Sequence, residues 1–258
     1  MVSSISTHWH YAWLVAASLI AGVMNAMAGG GSFVSFPAML AIGVTPIQAN
    51  ATNTVALWPG QLTSVAALRE DLRRDLLPVI CAASILGGVS GAVVLLNTRQ
   101  ITFLHMVPWL LLVASLLFGI SGPVSRWLKA RSAEPHRERS PKLVPLFFIL
   151  LPVCFYVGYF GAGAGFLIMS ALALFGVEEV HQLNSLKVLA ACLSNFCAVV
   201  TFVLSGAVVW HYCLISMLFA GAGGYVGAQY ARRMNADVLR TIVVVTGVAM
   251  AAYFFWRQ

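Results

Sequence analysis

The protein has 258 residues, of which 60% are hydrophobic and only 9% are charged. Soluble domains carry roughly 45–50% apolar and about 25% charged residues, so these proportions exclude a soluble globular protein and predict a polytopic membrane protein. Lysine and arginine number 15 against 8 aspartates and glutamates, which gives a net charge of +7. Because most of these cations fall in short loops, we interpret them as markers of the cytoplasmic side and expect no nucleic-acid partner.

The amino terminus and the cysteines lead to two further expectations. The first residues, MVSSISTHWHYAW, lack the basic segment of a signal peptide, so we expect the apolar run after them to be retained as a span. The five cysteines are scattered through apolar segments without CxxC spacing. We interpret them as small hydrophobic residues, not as ligands or a disulfide framework, and we expect no metal and no cofactor.

Eight apolar runs approach the roughly 20 residues that cross a bilayer as a helix. In chain order they cover 11–28, 51–68, 76–96, 102–122, 143–160, 185–207, 210–231 and 238–256. Two shorter runs, 32–42 and 164–176, follow glycine-rich stretches and are too short to cross alone. The sequence therefore predicts an all-α polytopic membrane protein in which two half-helices, or re-entrant segments, accompany the spanning helices.

The two halves of the sequence resemble each other across a polar linker. AGGGSFVSFPAMLAIGVTPIQANATNTVAL in the first half resembles GAGAGFLIMSALALFGVEEVHQLNSLKVLA in the second. An offset of 134 residues, the difference between 184 and 50, pairs Asn50 with Asn184 and Asn53 with Lys187. We therefore expect a membrane repeat over 1–122, a basic cytoplasmic linker over 123–142 and a second membrane repeat over 143–258.

Loop charges predict that the two repeats are inverted relative to each other. In the first half the loop Arg69–Asp75 carries three arginines, whereas the equivalent loop around Trp210–His211 carries none. The next loop of the second half instead holds Arg232 and Arg233. Since positive loops mark the cytoplasmic side, this shift by one loop is typical of inverted repeats, each with a helix–half-helix hairpin and three spanning helices.

A glycine-rich break precedes each half-helix. The glycines are Gly29, Gly30 and Gly31 before Ser32 in the first half, and Gly161, Gly163 and Gly165 in the second. The exposed N–H groups of a helix that begins near Ser32, and of one near Gly165, would attract an anion without any side-chain charge. We expect the two breaks to face each other across the pseudo-twofold axis. Tight helix packing through small residues is the alternative for each break.

Polar residues follow both breaks at helical spacing. They are Asn50, Asn53, Thr54, Trp58 and Gln61 in the first half, and Asn184, Lys187, Ser194 and Asn195 in the second. Polar side chains inside a span are costly and usually face the bundle interior or a wet cavity, so we predict that they line a substrate site. The alternatives are interhelical hydrogen bonding for Asn195 and core packing for Trp58.

Lys187 is the candidate counter-charge for an anionic substrate, because an ammonium group supplies a positive charge and three donors. The alternatives are snorkelling to the interface and pairing with Glu178 or Glu179. These two acids and His181 are either ordinary interfacial residues or groups that carry a coupling proton, and the second role would require burial.

Around these residues the sequence resembles the TauE/SafE sulfite exporter family. The resemblance rests on NAMAGGGSFVSFPAMLAIGVTPIQANATNTVALWPG and GYFGAGAGFLIMSALALFGVEEVHQLNSLKVLAACLSNF, and it spans nearly the whole chain outside the linker. It implies a permease of the bacterial inner membrane for small sulfur-containing anions such as sulfite, sulfonates or sulfoacetate. The resemblance also implies a set of binding residues in each half. They are Gly29, Gly30, Gly31, Ser32, Asn50, Thr52 and Asn53 in the first half, and Gly161, Gly163, Gly165, Asn184 and Lys187 in the second. The halves depart from symmetry where Asn53 corresponds to Lys187 and Thr52 to Leu186.

We therefore expect a secondary transporter that works by alternating access in the lipid bilayer, coupled to a proton or sodium gradient. A passive anion channel with the same site is one alternative. The other is an intramembrane serine protease of the rhomboid type, because GVSG at Gly88–Gly91 matches its G-x-S-G pattern, with His105 as the candidate base. An enzyme is the less favoured interpretation, since the same small residues recur as GISG at 119–122.

Overall fold

A computed structural model describes residues 2–28, 30–131, 143–175, 177, 179–231 and 236–257. Gly29, Glu178, Arg232 and Arg233, and residues 132–142 of the predicted linker, lie outside the described residues. The orientation inferred from the loop that contains Arg232 and Arg233 therefore stays a prediction.

The described chain folds into ten α-helices without a described strand. They are α1 (Val2–Ala28), α2 (Ser32–Ala41), α3 (Pro46–Ala67), α4 (Leu77–Asn97), α5 (Gln100–Arg131), α6 (Leu143–Tyr159), α7 (Ala164–Leu174), α8 (Val180–Leu204), α9 (Trp210–Ala231) and α10 (Ala236–Arg257). Two short 3-10 helices, Arg69–Asp71 and Arg74–Leu76, connect α3 to α4. Each predicted apolar run lies on a helix of its own, which confirms the all-α prediction.

Several helices extend beyond the apolar runs that predict them. Helix α3 begins at Pro46, five residues before the run at 51–68, and α8 begins at Val180, ahead of the run at 185–207. Proline fits the first turn of a helix, where its missing N–H is not needed. Hydropathy alone therefore places the start too late, because the first turn of α3 includes the polar residues Gln48 and Asn50.

Three helical stretches in the described chain are both long and apolar enough to cross a membrane: Arg74–Asn97, Gln100–Leu117 and His181–Leu204. Four shorter apolar helical stretches accompany them: Ser32–Ala41, Leu143–Tyr159, Ala164–Leu174 and Thr241–Trp256. Large apolar side chains face outward, among them Leu204, which is 82% exposed. Such an apolar outer surface is expected where lipid surrounds the protein, so the structure is that of a multi-pass membrane protein.

The fourth helix of each half packs against the first helix of the other half. Helix α4 lies on α6, and α9 lies on α1. A Cβ atom at Gly91 would lie 2.1 Å from the Phe155 carbonyl oxygen, and a Cβ atom at Gly223 would lie 2.1 Å from the Leu19 carbonyl oxygen. Only glycine permits such backbone contact. The similar segments LGGVSGA (86–92, in α4) and AGGYVGA (222–228, in α9) therefore act as close-packing surfaces.

The last helices of the two halves, α5 and α10, pack against each other in opposite directions. Trp109 early in α5 contacts Phe255 late in α10, with ring centroids 5.0 Å apart. Gly119, further along α5, faces Val244, which lies earlier in α10. Residue numbers rise along one helix as they fall along the other, so the two helices are antiparallel.

The half-helix α2 is held by aromatic packing inside the bundle. Phe33 and Phe36 are fully buried, and the Phe36 ring makes edge contacts with Phe103 of α5 at 6.4 Å and with Phe160 at 5.7 Å between centroids. A helix of ten residues is marginal in isolation, so this tertiary packing holds α2 in place.

We expect Gly91→Ala and Gly223→Ala each to lower the free energy of unfolding by about 1–3 kcal/mol, because the added methyl group collides with a backbone carbonyl of the neighbouring helix. Thermal unfolding of the purified protein in detergent measures this. Gly221→Ala in α9 is the matched control, since no atom lies within 4 Å of the added methyl group. Equal loss of stability in all three variants would contradict the close-packing role.

Candidate functional site

The break before α2 supplies its own hydrogen bonds to the start of the helix. The Phe33 N–H donates to the Gly30 carbonyl and the Val34 N–H to the Gly31 carbonyl, both at 3.1 Å. Gly30 and Gly31 are buried, and Gly30 lies against Val243 of α10. Two of the N–H groups that a helix N-terminus normally leaves open are therefore already satisfied.

Asn53 bonds through its side chain to two serine hydroxyls at the start of α2. Its Nδ2 donates to Ser32 Oγ at 3.0 Å, and its Oδ1 accepts a short hydrogen bond from the Ser35 hydroxyl, which also contacts the Gly31 carbonyl at 3.0 Å. Asn53 is buried. The structure thus brings Gly31, Ser32 and Asn53 together as the sequence predicts, and the group forms an internal network.

The break before α7 is made by glycines in the left-handed backbone region. Gly161 has φ +78° and Gly163, the N-cap of α7, has φ +71°, a conformation that side chains with a Cβ rarely adopt. The Tyr156 hydroxyl donates to the Ala162 carbonyl at 2.8 Å and so fixes the loop. The Gly165 N–H, in the first turn of α7, makes no hydrogen bond to any described residue.

Lys187 lies over this open first turn of α7. A Cβ atom at Gly165 would be 3.5 Å from Lys187 Cδ. Lys187 is partly buried, and it forms neither a hydrogen bond nor an ion pair with the described residues, which exclude Glu178. Glu179 forms no ion pair with Lys187, and Glu179 and His181 are both exposed, so neither has the burial that a coupling role would require.

Lys187 and Asn53 occupy equivalent positions in the two halves and contact equivalent helix starts. The asparagine bonds to the side-chain hydroxyls of Ser32 and Ser35, whereas the aliphatic stem of the lysine lies against Gly165 in the first turn of α7. Removing a charge from water without a partner is costly, and the dipole at the start of α7 is positive as well. An anion bound between the ammonium group and the Gly165 N–H would give the lysine a partner and would offset the positive end of the α7 dipole.

Helices α3 and α8 meet through residues that the repeat makes equivalent. Asn195 Nδ2 donates to Gln61 Oε1 at 3.0 Å, and Trp58 Nε1 donates to the Cys192 carbonyl at 3.2 Å. Both pairs are separated by 134 residues. The interhelical hydrogen bond considered as the alternative for Asn195 is therefore formed, and Gly161 adjoins the same group, since its Cβ would lie 3.7 Å from Asn195 Oδ1.

Of the remaining candidate side chains, Asn50 and Thr52 form hydrogen bonds to the backbone and Asn184 does not. Asn50 Nδ2 donates to the Tyr159 carbonyl at 3.1 Å, and Thr52 Oγ1 accepts the N–H of Val209 at 3.0 Å, just before α9 begins. Asn184 is partly buried and forms no hydrogen bond within the described chain. Thr52 thus helps to hold the start of α9, which explains its burial without a ligand.

The residues predicted from the sequence do not include Ser35, and the sequence does not predict that Gly163 packs against α5. Ser35 bonds to Asn53, and its spacing of three from Ser32 on a helix was the available signal. A Cβ atom at Gly163 would lie 3.1 Å from the Ala114 carbonyl of α5, so this glycine is required both for its φ angle and for close packing.

The protease interpretation has no geometric support. The Ser90 hydroxyl donates to the Leu86 carbonyl of its own helix at 2.6 Å, and His105 Nδ1 contacts the Ile101 carbonyl of its helix at 2.7 Å. Both side chains are exposed and they do not bond to each other. The nucleophile–base pair that this chemistry requires is therefore not formed between them.

Broken helices whose starts carry polar residues, held inside an apolar helical bundle, are the architecture of membrane transporters. The chain belongs to the family described as Sulfite exporter TauE/SafE, whose model matches residues 14–254. This confirms the resemblance read from the sequence. The protein is thus a membrane transporter and not an enzyme.

Curated relatives of similar length support this assignment. A probable membrane transporter protein, ORF9, of Sinorhizobium sp is 29% identical over 244 residues, covering 93% of this chain and 90% of the relative. The probable membrane transporter protein YfcA of Escherichia coli K12 is 26% identical, covering 91% and 86%. A probable membrane transporter protein of Haemophilus influenzae is also 26% identical, covering 95% and 94%. No solved structure matches the chain.

We expect substitutions at the equivalent positions Asn53 and Lys187 to affect the free energy of unfolding differently when no anion is present. Asn53→Ala should lower the free energy of unfolding by about 1–3 kcal/mol, because Ser32 and Ser35 lose a buried partner. Lys187→Met should not lower it, since the variant removes an unpaired charge and keeps the apolar stem. Thermal unfolding in detergent without added oxyanions measures both.

Asn97→Ala is the matched control for the asparagine, because Asn97 is exposed and bonds only to Val93 within its own helix. If Lys187→Met destabilised the protein as much as Asn53→Ala, Lys187 would have a structural partner and the open-site interpretation would be wrong.

Proposed function

We propose that the protein is a secondary transporter of the bacterial inner membrane that binds a small sulfur-containing anion at the start of α7. The observation that carries the proposal is that the Lys187 side chain lies against Gly165, while neither its ammonium group nor the Gly165 N–H has a partner among the described residues. The family description, sulfite exporter, favours a sulfur oxyanion such as sulfite, a sulfonate or sulfoacetate as the cargo.

The chemistry of this site suits an oxyanion. An ammonium group and a backbone N–H of a helix N-terminus both donate hydrogen bonds, and donors to a charged acceptor form the stronger bonds. Asn184 precedes Lys187 by three positions, so its free carboxamide lies on the same helix face and offers a further donor. We assign these groups as the primary contacts.

We propose that the remaining candidate residues contribute to the transport path beyond these primary contacts. They are Gly29, Gly30, Gly31, Ser32, Asn50, Thr52, Asn53, Trp58, Gln61, Gly161, Gly163 and Asn195. We propose that those already bonded within the protein shape the path, and that each becomes available only when its internal partner moves away.

We infer that the two halves, 1–122 and 143–258, are inverted repeats joined by a cytoplasmic linker. Antiparallel packing of the equivalent helices α5 and α10 supports this, because a parallel repeat would keep equivalent helices in the same direction. The reciprocal packing of α4 on α6 and of α9 on α1 is what a pseudo-twofold axis predicts. The contacts between equivalent residues of α3 and α8 favour an axis that passes between these helices.

Alternating access follows if the halves exchange conformations. When each half adopts the conformation of the other, a contact between equivalent residues, such as Gln61–Asn195, becomes the same contact again and can persist. The Asn50 bond to the Tyr159 carbonyl, at the end of α6, instead maps onto a bond from Asn184 to a carbonyl near the end of α1, and Asn184 bonds to no described residue in this state. We propose that the second bond forms, and the first breaks, when the transporter opens to the other side.

Lys187→Met should weaken anion binding by roughly ten- to a hundredfold, the contribution of a hydrogen bond to a charged group, and should reduce transport accordingly. Proteoliposome flux with sulfite, methanesulfonate, thiosulfate and sulfate measures transport, and the rise in melting temperature on adding each anion measures binding. Lys187→Arg should keep part of both. Arg99→Gln is the control, since Arg99 is an exposed cation remote from α7 in sequence.

Wild-type flux by correctly inserted Lys187→Met protein would contradict the proposed site. Flux that never responds to an imposed proton or sodium gradient, and shows no counterflow, would instead identify a passive anion channel that uses the same contacts.

Asn50→Ala and Asn184→Ala should shift the conformational equilibrium in opposite directions. Each removes a hydrogen bond from only one state, which at about 1 kcal/mol changes the populations roughly fivefold. The ratio of KM for uptake to KM for efflux, measured in proteoliposomes of defined orientation, should therefore rise in one variant and fall in the other. A shift in the same direction in both variants would argue against exchange between the halves.

A further inference from the structure

An apolar groove opens between the first turns of α4 and α6, apart from the residues assigned to transport. Its volume is about 290 Å³. Its walls are Pro78, Val79 and Ala82 of α4, and Leu143, Val144 and Phe147 of α6. All six side chains are apolar, so the groove offers no group that would orient a polar solute. Ligand pockets for whole small molecules begin at roughly 300 Å³, so this groove suits a single hydrocarbon chain.

An exposed cation precedes the groove-lining part of α4 in the chain and has no partner among the described residues. Arg74 immediately precedes α4, four residues before Pro78, and is exposed. It forms neither a hydrogen bond nor an ion pair through its side chain with the described residues. The neighbouring Arg73 is instead paired with Asp75, which neutralises that arginine.

We propose that an anionic phospholipid binds here, with one acyl chain in the groove and its phosphate on Arg74. A guanidinium group matches phosphate oxygens with two parallel N–H donors, and basic residues at a membrane surface attract anionic lipids. The groove begins at the first turns of both helices, so a chain that enters beside Arg74 continues along the apolar walls. A zwitterionic lipid fills the same groove but lacks the net negative charge.

Native mass spectrometry of the purified full chain tests the proposal, with phosphatidylglycerol and phosphatidylcholine of identical acyl chains added in detergent. Wild-type protein should retain phosphatidylglycerol more tightly. Arg74→Gln should lower that affinity about fivefold and abolish the preference, which corresponds to the effect of one basic residue near a membrane surface. Arg99→Gln, at the other end of α4, should leave it unchanged.

A variant that fills the groove tests the acyl-chain contact independently of the phosphate contact. Ala82→Leu should weaken the binding of both lipids, whereas Ala252→Leu, at an exposed alanine of α10, should weaken neither. Equal binding of the two lipids by wild-type protein would overturn the proposal, as would equal losses in Arg74→Gln and Arg99→Gln. A lipid-free dimer that Ala82→Leu disrupts would identify the groove as a contact between two copies of the chain.

Discussion

A lysine that packs against the start of a helix is the electrostatic constraint on which the proposed transport site depends. In water Lys187 would be fully hydrated, but here it is partly buried and no described acid pairs with it. The positive end of the α7 dipole is a second positive group, so a negative solute in the proposed site would be attracted by both. No described acid competes with such a solute for the Lys187 ammonium group.

The difference between the two half-sites comes from one position in the repeat. Asn53 carries both a donor and an acceptor, so it satisfies Ser32 and Ser35 within the protein. Lysine has donors only, and Lys187 cannot close α7 in the same way. The same framework therefore produces one helix start where an asparagine bonds the serine hydroxyls and one where a lysine lies against Gly165, whose N–H bonds to no described residue. Loss of strict symmetry is thus part of the proposed site.

The framework itself rests on backbone contacts that leave no room for side chains. Gly91 on α4 and Gly223 on α9 each lie against a carbonyl group of a helix from the other half. These two contacts tie the halves together across the helix pairs α4–α6 and α9–α1, while packing holds the short helices α2 and α7 in place. A rigid frame around short inner helices favours a mechanism in which polar contacts exchange and the interlocked glycine surfaces persist. Lipid bound between α4 and α6 would lie at one such surface.

The membrane class, the described helices and the two glycine breaks are predictable from the sequence, because hydropathy, proline placement and glycine content act over one or two helical turns. The repeat also identifies Lys187 and Asn53 as equivalent positions. Tertiary packing instead sets which polar atoms meet: Asn53 with Ser35, 18 residues away, and Thr52 with the N–H of Val209, 157 residues away. Such pairs depend on how whole helices stack, and a side chain becomes a binding group or an internal partner according to what that stacking places within hydrogen-bond distance.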